Sequence, residues 1–199
     1  GREFSLMVDG VELMNSLVHE SEDQLAALAC AAVEGVAEPV VLIGGLGMGF
    51  TLAAALARLG PKAKVVVAEL VPEVAAWNRG ILAHLAGRPL EDPRVGVRIQ
   101  DVAVSLQTEL HAYDAILLDV DNGPEGFTRG SNDWLYDEAW LAAAYSALRP
   151  GGGLTVWSAT RDPAFAMRLR KLGFAVEEVR VHARARGRGD RHVIWKARA

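Results

Sequence analysis

The 199-residue chain is 51% hydrophobic and carries a formal net charge of −4; it is long enough for one core of ordinary domain size, and its acidity gives no general pull on nucleic acid or an anionic membrane. The single cysteine, Cys30, lies in the apolar run Leu25 to Val33, which excludes a disulfide framework or zinc cluster and fits a buried small hydrophobe in a reducing, cytoplasmic setting. No run approaches the ~18 apolar residues of a bilayer span and no cleavable signal is visible, so no membrane partner is expected.

In chain order, Phe4 to Val8 and Val11 to Met14 flank the turn pair Asp9-Gly10 and predict a short β-hairpin. The Ala/Leu-rich stretch 20–37 predicts a helix. Strand–helix alternation follows: strand 40–43 with helix 49–59, strand 63–68 with helix 72–85, strand 95–99 with helix 102–109, strand 114–118 with helix 132–148, and strand 153–157 with helix 163–171. Strands 174–181 and 192–197 close the chain, joined only by the Arg/Gly stretch Ala183 to Asp190. Apolar, non-alternating strands paired with helices predict a mostly parallel sheet between helix layers, finished by an antiparallel hairpin. No stretch is long enough to be an interdomain linker. Residues 1–19 are therefore read as a hairpin extension and 20–199 as one nucleoside-binding domain. The hairpin is too small to bury Phe4, Leu6, Val8, Val11 and Leu13 by itself, so they require the body of the domain or the surface of a homodimer partner.

The chemistry is concentrated at the predicted strand ends, where open parallel sheets bind ligands. Strand 40–43 runs into Gly44-Gly45-Leu46-Gly47-Met48-Gly49 and then a helix, which brings bare backbone N–H groups and a helix N-terminus to a ligand. Glu69 ends the second strand, twenty residues after Gly49, where a carboxylate can accept from both ribose hydroxyls. Asp101 suits the exocyclic amine of adenine, with the Val102 N–H for a ring nitrogen; it equally suits a helix N-cap. Asp119 and Asp121 follow the apolar run Ala115 to Leu118. Mutual repulsion and desolvation there would raise at least one pKa, so the pair could act as base toward an amine nucleophile or hold its charge. Asn122-Gly123-Pro124 also makes this segment a turn.

Phe127, Trp134, Tyr136 and Trp140 are placed to line an acceptor pocket, although Tyr136 and Trp140 share a helix face that also suits packing on the sheet. Trp77 and Trp157 read as core or rim. Arg180, Arg184, Arg186, Arg188 and Arg191 cluster near the C-terminus with His182 and His192. They suit a solvated hairpin rim or a substrate-side element, and their mobile charges on an acidic chain argue against a nucleic-acid site.

The seven-strand pattern with an antiparallel last strand resembles the class I S-adenosylmethionine-dependent methyltransferase fold, a Rossmann-like three-layer α/β sandwich, here preceded by the N-terminal β-hairpin. Within it, residues 6–157 resemble the spermidine synthase family of polyamine aminopropyltransferases. The matching motifs are Leu6-Met7-Val8-Asp9-Gly10, Ile43 to Gly49, Glu69, Asp92-Pro93-Arg94-Val95, Gln100-Asp101, Tyr113-Asp114-Ala115-Ile116-Leu117-Leu118-Asp119-Val120-Asp121-Asn122, Leu135-Tyr136 and Leu148-Arg149-Pro150-Gly151-Gly152.

The resemblance implies decarboxylated S-adenosylmethionine or S-adenosylmethionine as co-substrate, held by Gly44, Gly45, Gly47, Gly49, Glu69, Asp101, Val102 and Asp119. It further implies Asp119 and Asp121 at the reacting amine, a polyamine acceptor, no metal and a homodimer. The departures fall where the family recognises its amines. Gly47 replaces an aspartate of the glycine loop, Asn122 replaces a second aspartate, and only Gln24 in Ser21-Glu22-Asp23-Gln24 matches the family's tyrosine and glutamine gate. A basic hairpin stands in place of the family's tyrosine- and proline-rich substrate loop. Without an acid at 47, intact S-adenosylmethionine is not repelled, although Ile43 stands where methyltransferases usually place an acid. Aminopropyl transfer is the leading reading, methyl transfer to a small-molecule substrate the alternative, and non-catalytic adenosyl-ligand binding a third.

Overall fold

The computed structural model describes residues 3–8, 10–119, 137–184 and 188–199. Strands β1 (Ser5–Val8) and β2 (Val11–Asn15) form an antiparallel hairpin. Helix α1 (Glu20–Ala31) leads to β3 (Val40–Gly44), α2 (Phe50–Leu56), β4 (Lys64–Glu69), α3 (Pro72–Arg79), β5 (Val95–Ile99), α4 (Val102–Thr108) and β6 (Tyr113–Leu118). After α5 (Glu138–Ala147) come β7 (Leu148–Ser158), α6 (Pro163–Lys171), β8 (Ala175–Arg184) and β9 (Arg188–Arg198).

The main sheet has seven strands in the order β5-β4-β3-β6-β7-β9-β8. Neighbours from β5 to β7 are parallel, and β9 lies antiparallel between β7 and β8. Strand order reverses beside β3, so the crevice for a ligand opens at the carboxyl ends of β3, β4 and β6.

Alternation within each strand divides the core in two. Val41, Ile43, Ala115 and Leu117 face α1 and α2, packing on Ala26, Ala29, Cys30, Leu52 and Ala55. Leu42, Ile116 and Leu118 face the opposite layer, with Leu106 of α4, Leu141 and Ala144 of α5, and Phe165 and Leu169 of α6. Both faces of the parallel strands are thereby covered, which is why they are apolar throughout. Cys30 is buried, and loss of solvation pushes its thiol up to about 11. Among the described residues no helix is long and apolar enough to cross a membrane.

Several elements differ in extent from the sequence reading. The helix expected over 20–37 ends at Ala31, and the one over 72–85 ends at Arg79. Gly80 has φ −117° and ψ −109°, a backbone that no α-helix accommodates. The strand expected at 153–157 begins directly after α5, at Leu148. The proposed start of helix 132–148 lies outside the described residues. Phe4, Leu6 and Met14 of the hairpin pack on Met48, Phe50 and Leu82, so the body of the domain covers them.

Two family-like motifs serve as clamps in the fold. Arg94 binds Asp92 at 2.8 Å and donates to the carbonyls of Leu56, Leu59 and Gly60, tying the end of α2 to the start of β5; the guanidinium holds the Asp92 carboxyl below its usual range. Asp114 accepts from the Val40 N–H at 2.8 Å and from Arg149 at 2.6 Å, joining β3, β6 and β7. Asp114→Ala leaves that N–H without its acceptor, and is expected to lower stability by about 1–3 kcal/mol, read as a fall in denaturant midpoint at constant m-value.

Candidate active site

Gly44 closes β3 where there is no space for a side chain: a Cβ there would lie 3.0 Å from both Leu118 and Val102. The Asp119 N–H donates to the Gly44 carbonyl at 2.9 Å, and the Gly45 N–H donates to the Ala68 carbonyl at 2.9 Å. The loop is thus pinned to both neighbouring strands before it turns. Gly49, the N-cap of α2, has φ +84°, a left-handed backbone that favours glycine.

Glu69 grips this loop from the end of β4. Its Oε2 accepts from the Leu46 N–H and its Oε1 from the Val71 N–H, both at 2.8 Å. Each carboxylate oxygen keeps a further lone pair for a ligand hydroxyl. Asn78, which sequence reading did not single out, supports the other side: it is buried in α3 and donates to the Gly47 carbonyl at 2.8 Å. A poor helix former in the middle of the helix predicted over 72–85 is the available signal.

Asp101 caps α4, its Oδ1 accepting from the Ala103 N–H at 2.9 Å. The cap uses one oxygen, so it is compatible with a second acceptor role at the strand end. Val102 is buried against the floor of the loop.

Asp119 is half-buried at the end of β6 and accepts from the Thr51 hydroxyl at 2.5 Å. Its pKa is raised by burial, against which the Thr51 hydrogen bond acts. The sequence predicts a raised pKa at this strand end from desolvation and from repulsion between Asp119 and Asp121; burial raises Asp119 as expected, and Asp121 lies outside the described residues. The structure supplies a different neighbour. Glu22, in the first turn of α1, is 8% exposed, and its carboxyl is pushed up to about 7, first by burial and then by the charge of Asp119. His19 stacks on Phe50 with ring centroids 4.3 Å apart, which holds the N-terminus of α1 against the first turn of α2. Like Asn78, Thr51 and Glu22 are given no site role by the sequence reading; no local pattern reports that the N-terminus of α1 lies near the end of β6.

Gly44, Gly45, Gly47, Gly49, Glu69, Asp101, Val102 and Asp119 therefore all lie at the carboxyl-terminal ends of the neighbouring strands β5, β4, β3 and β6 or in the segments that follow them. Phe127, Trp134 and Tyr136 lie outside the described residues. Trp140 is buried in the core beneath α5 rather than in the mouth. At Gly47, with φ +51°, a Cβ would meet the Met14 sulfur at 2.8 Å; the hairpin occupies the space where the resembling family carries an acid.

A family model of the spermine/spermidine synthase domain matches residues 21–167. A polyamine aminopropyltransferase of Synechococcus sp. (strain JA-2-3B'a(2-13)) is 29% identical over 162 residues, covering 79% of this chain and 50% of that protein. The chain thus spans about half the length of the curated relative it matches. The crystal structure of spermidine synthase from Thermotoga maritima superposes with a TM-score of 0.75 at 20% identity, over 96% of this chain and 64% of that one. A spermidine synthase in complex with the transition-state analogue AdoDATO gives 0.73 at 20% identity, over 96% and 63%. Burkholderia thailandensis 1,6-didemethyltoxoflavin-N1-methyltransferase, with bound 1,6-didemethyltoxoflavin and S-adenosylhomocysteine, gives 0.62 at 21%, over 89% and 77%. These superpositions establish a shared fold.

Two outcomes follow from the geometry. Glu22 titrates near 4.5 when unfolded and near 7 when folded, so the native state binds the extra proton between those values and stability is lost as pH rises through that window. Chemical denaturation at stepped pH should show a loss of about 3 kcal/mol, and Glu22→Gln should flatten it. Gly47→Asp should cost about 1–2 kcal/mol of backbone strain, added to its clash with Met14. A double-mutant cycle with Met14→Ala should recover at least ~0.5 kcal/mol.

Proposed function

The chain belongs to the spermine/spermidine synthase family, and from that premise we propose that it is a transferase that holds an adenosyl sulfonium donor in the strand-end cleft and moves its aminopropyl group to a polyamine. The observation that carries this reading is the convergence of Glu69, Asp101 and Asp119 around one glycine loop. An adenosyl donor fits these groups: Glu69 retains acceptor capacity for ribose hydroxyls, Asp101 retains one oxygen for an adenine amine, and Asp119 stands beyond them. The AdoDATO and S-adenosylhomocysteine in the similar structures support an adenosyl-type ligand here.

In such a transfer the acceptor nitrogen forms a bond to the carbon next to the sulfonium, the carbon–sulfur bond breaks and the thioether leaves. The sulfonium supplies the leaving group. Much of the work left to the protein is positioning. The nitrogen loses a proton as the bond forms. Asp119, with its raised pKa and its hydrogen bond from Thr51, is the group placed to hold or take it, with Asp121 in support.

Gly47 favours a second reading, methyl transfer from intact S-adenosylmethionine. Met14 rather than an acid borders that position, so a donor carboxylate meets no opposing charge. Residues 1–19 act in either case as an extension of the 20–199 domain. Exposed Leu70, Trp77 and Ile81 support self-association as a homodimer, and the unpaired Cys30 supports a reducing, cytoplasmic setting.

Incubation with decarboxylated S-adenosylmethionine and putrescine should yield methylthioadenosine and spermidine. S-adenosylhomocysteine formed from intact donor, with no spermidine in the first reaction, would establish the second reading instead. Asp119→Asn should lower turnover by roughly 10²-fold or more while leaving methylthioadenosine affinity within a few fold; equal loss of both would assign Asp119 to ligand positioning alone.

A further inference from the structure

β8 forms one edge of the main sheet and pairs within it with β9 alone. It runs for 10 residues, whereas β5 at the opposite edge has 5. An open edge is a template for a further strand, and proteins blunt it by shortening it, by bulges or by proline. β8 contains no proline, and its pairing with β9 is regular from Ala175 to His182. Among the described residues no backbone hydrogen bond joins the outer side of this segment to another strand or loop; Arg170 donates to its Val176 carbonyl at 3.4 Å.

The charges along β8 complement themselves. Val179 and Val181 pack towards Leu25 and Ile194, so Glu178 and Arg180 occupy the opposite face. Arg180 is exposed and among the described residues has no ion pair. Glu178 meets Arg161 through Oε2 at 2.7 Å and keeps acceptor capacity on Oε1. Backbone groups pointing away from β9 alternate along the strand, and in an antiparallel pair such residues must face their like. The two-fold axis of a self-paired β8 therefore passes through a residue. An axis at Glu177, Glu178 or Arg180 sets that charge against its own copy. An axis at Val181 runs the pair into the irregular step between His182 and Arg184. At Val179, Glu178 of each copy faces Arg180 of the other, within the regular segment.

We propose that β8 is the edge through which the chain self-associates: two copies pair β8 antiparallel about a two-fold axis at Val179, with Glu178 opposite the partner's Arg180. This rests on the homodimer reading and names the surface that forms it. Any extended peptide would find the same backbone groups, but the charge order of β8 selects a second copy of itself. β7 and β8 are both antiparallel to β9, so β8 runs parallel to β7. Its antiparallel self-pairing joins the two seven-stranded sheets into one and points the carboxyl-terminal strand ends of the two copies in opposite directions, which leaves each set of strand-end residues clear of the other.

The test is sedimentation equilibrium on the full chain over a dilution series, with far-UV circular dichroism to verify that each variant is folded. The wild type should be a dimer. By symmetry Glu178→Arg and Arg180→Glu each create two like-charge pairs, so each should raise the dimer dissociation constant by roughly tenfold or more. Mixing the two variants should restore association, because each then presents the charge that the other lacks; both exchanges in one chain should restore the homodimer. Independently of charge, Val179→Cys lies on the axis, where facing Cα atoms are ~4.5–5.5 Å apart, and should give a disulfide-linked dimer on mild oxidation. Glu177→Cys, which faces the partner's Val181, should not. A dimer unaffected by the charge exchanges, or no cross-link at 179, would overturn β8 as the edge, move the interface towards exposed Leu70, Trp77 and Ile81, and leave the homodimer reading standing. A wild type that is monomeric at every concentration would overturn both.

Discussion

The absence of a side chain at Gly44 is the constraint on which the site depends. A Cβ there would press on Leu118 and Val102 at 3.0 Å, and the close approach it permits lets the Asp119 N–H reach the Gly44 carbonyl. β6 therefore ends against the glycine loop, and Asp119 emerges beside the first turn of α2 where Thr51 meets it. With β3 and β6 further apart, the glycine loop, Glu69 and Asp119 would not come together at the strand ends.

Around that junction, polar groups divide into those that hold the frame and those with capacity left for a ligand. Asp92 with Arg94, and Asp114 with Arg149, consume their hydrogen bonds inside the fold. They sit at the amino-terminal ends of the strands, away from the mouth. Glu69 belongs to both groups. It fastens Leu46 and Val71 through one lone pair on each oxygen and keeps acceptor capacity beyond those two bonds. Asp101 uses one oxygen for a helix cap at the end of β5 and keeps acceptor capacity on the other in the same way.

The far end of the cleft is unusual in its charge. Helix α1 carries Glu20, Glu22 and Asp23 in its first turn, where the helix dipole favours negative charge, but burial acts against the charge on Glu22 and prevails. Burial and then the negative charge of Asp119 hold the Glu22 carboxyl above its usual range. The hairpin contributes the opposite character on the near side, with Met14 set against Gly47. The cleft is thus apolar beside the glycine loop and acidic beside β6, a polarity reversed from what the loop motif of the resembling family implies.

The sequence by itself determined the layered α/β architecture, because apolar strands buried on both faces and strand-end glycines and acids leave a local imprint. Strand β5 and helix α6 match their expected spans, Val95–Ile99 and Pro163–Lys171. It also determined features that depend on one segment, including the cap at Asp101 and the place of Glu69 at the end of β4. Helix lengths were less legible, since tertiary packing, rather than propensity alone, decides where an Ala-rich segment stops, as at Ala31. Only the tertiary structure decided that Met14 borders Gly47, that Asn78 braces the loop, and that the Asp119 charge acts on Glu22. These pairs are separated along the chain and joined by tertiary packing, and burial and charge act through space, where periodicity and motif spacing carry no information.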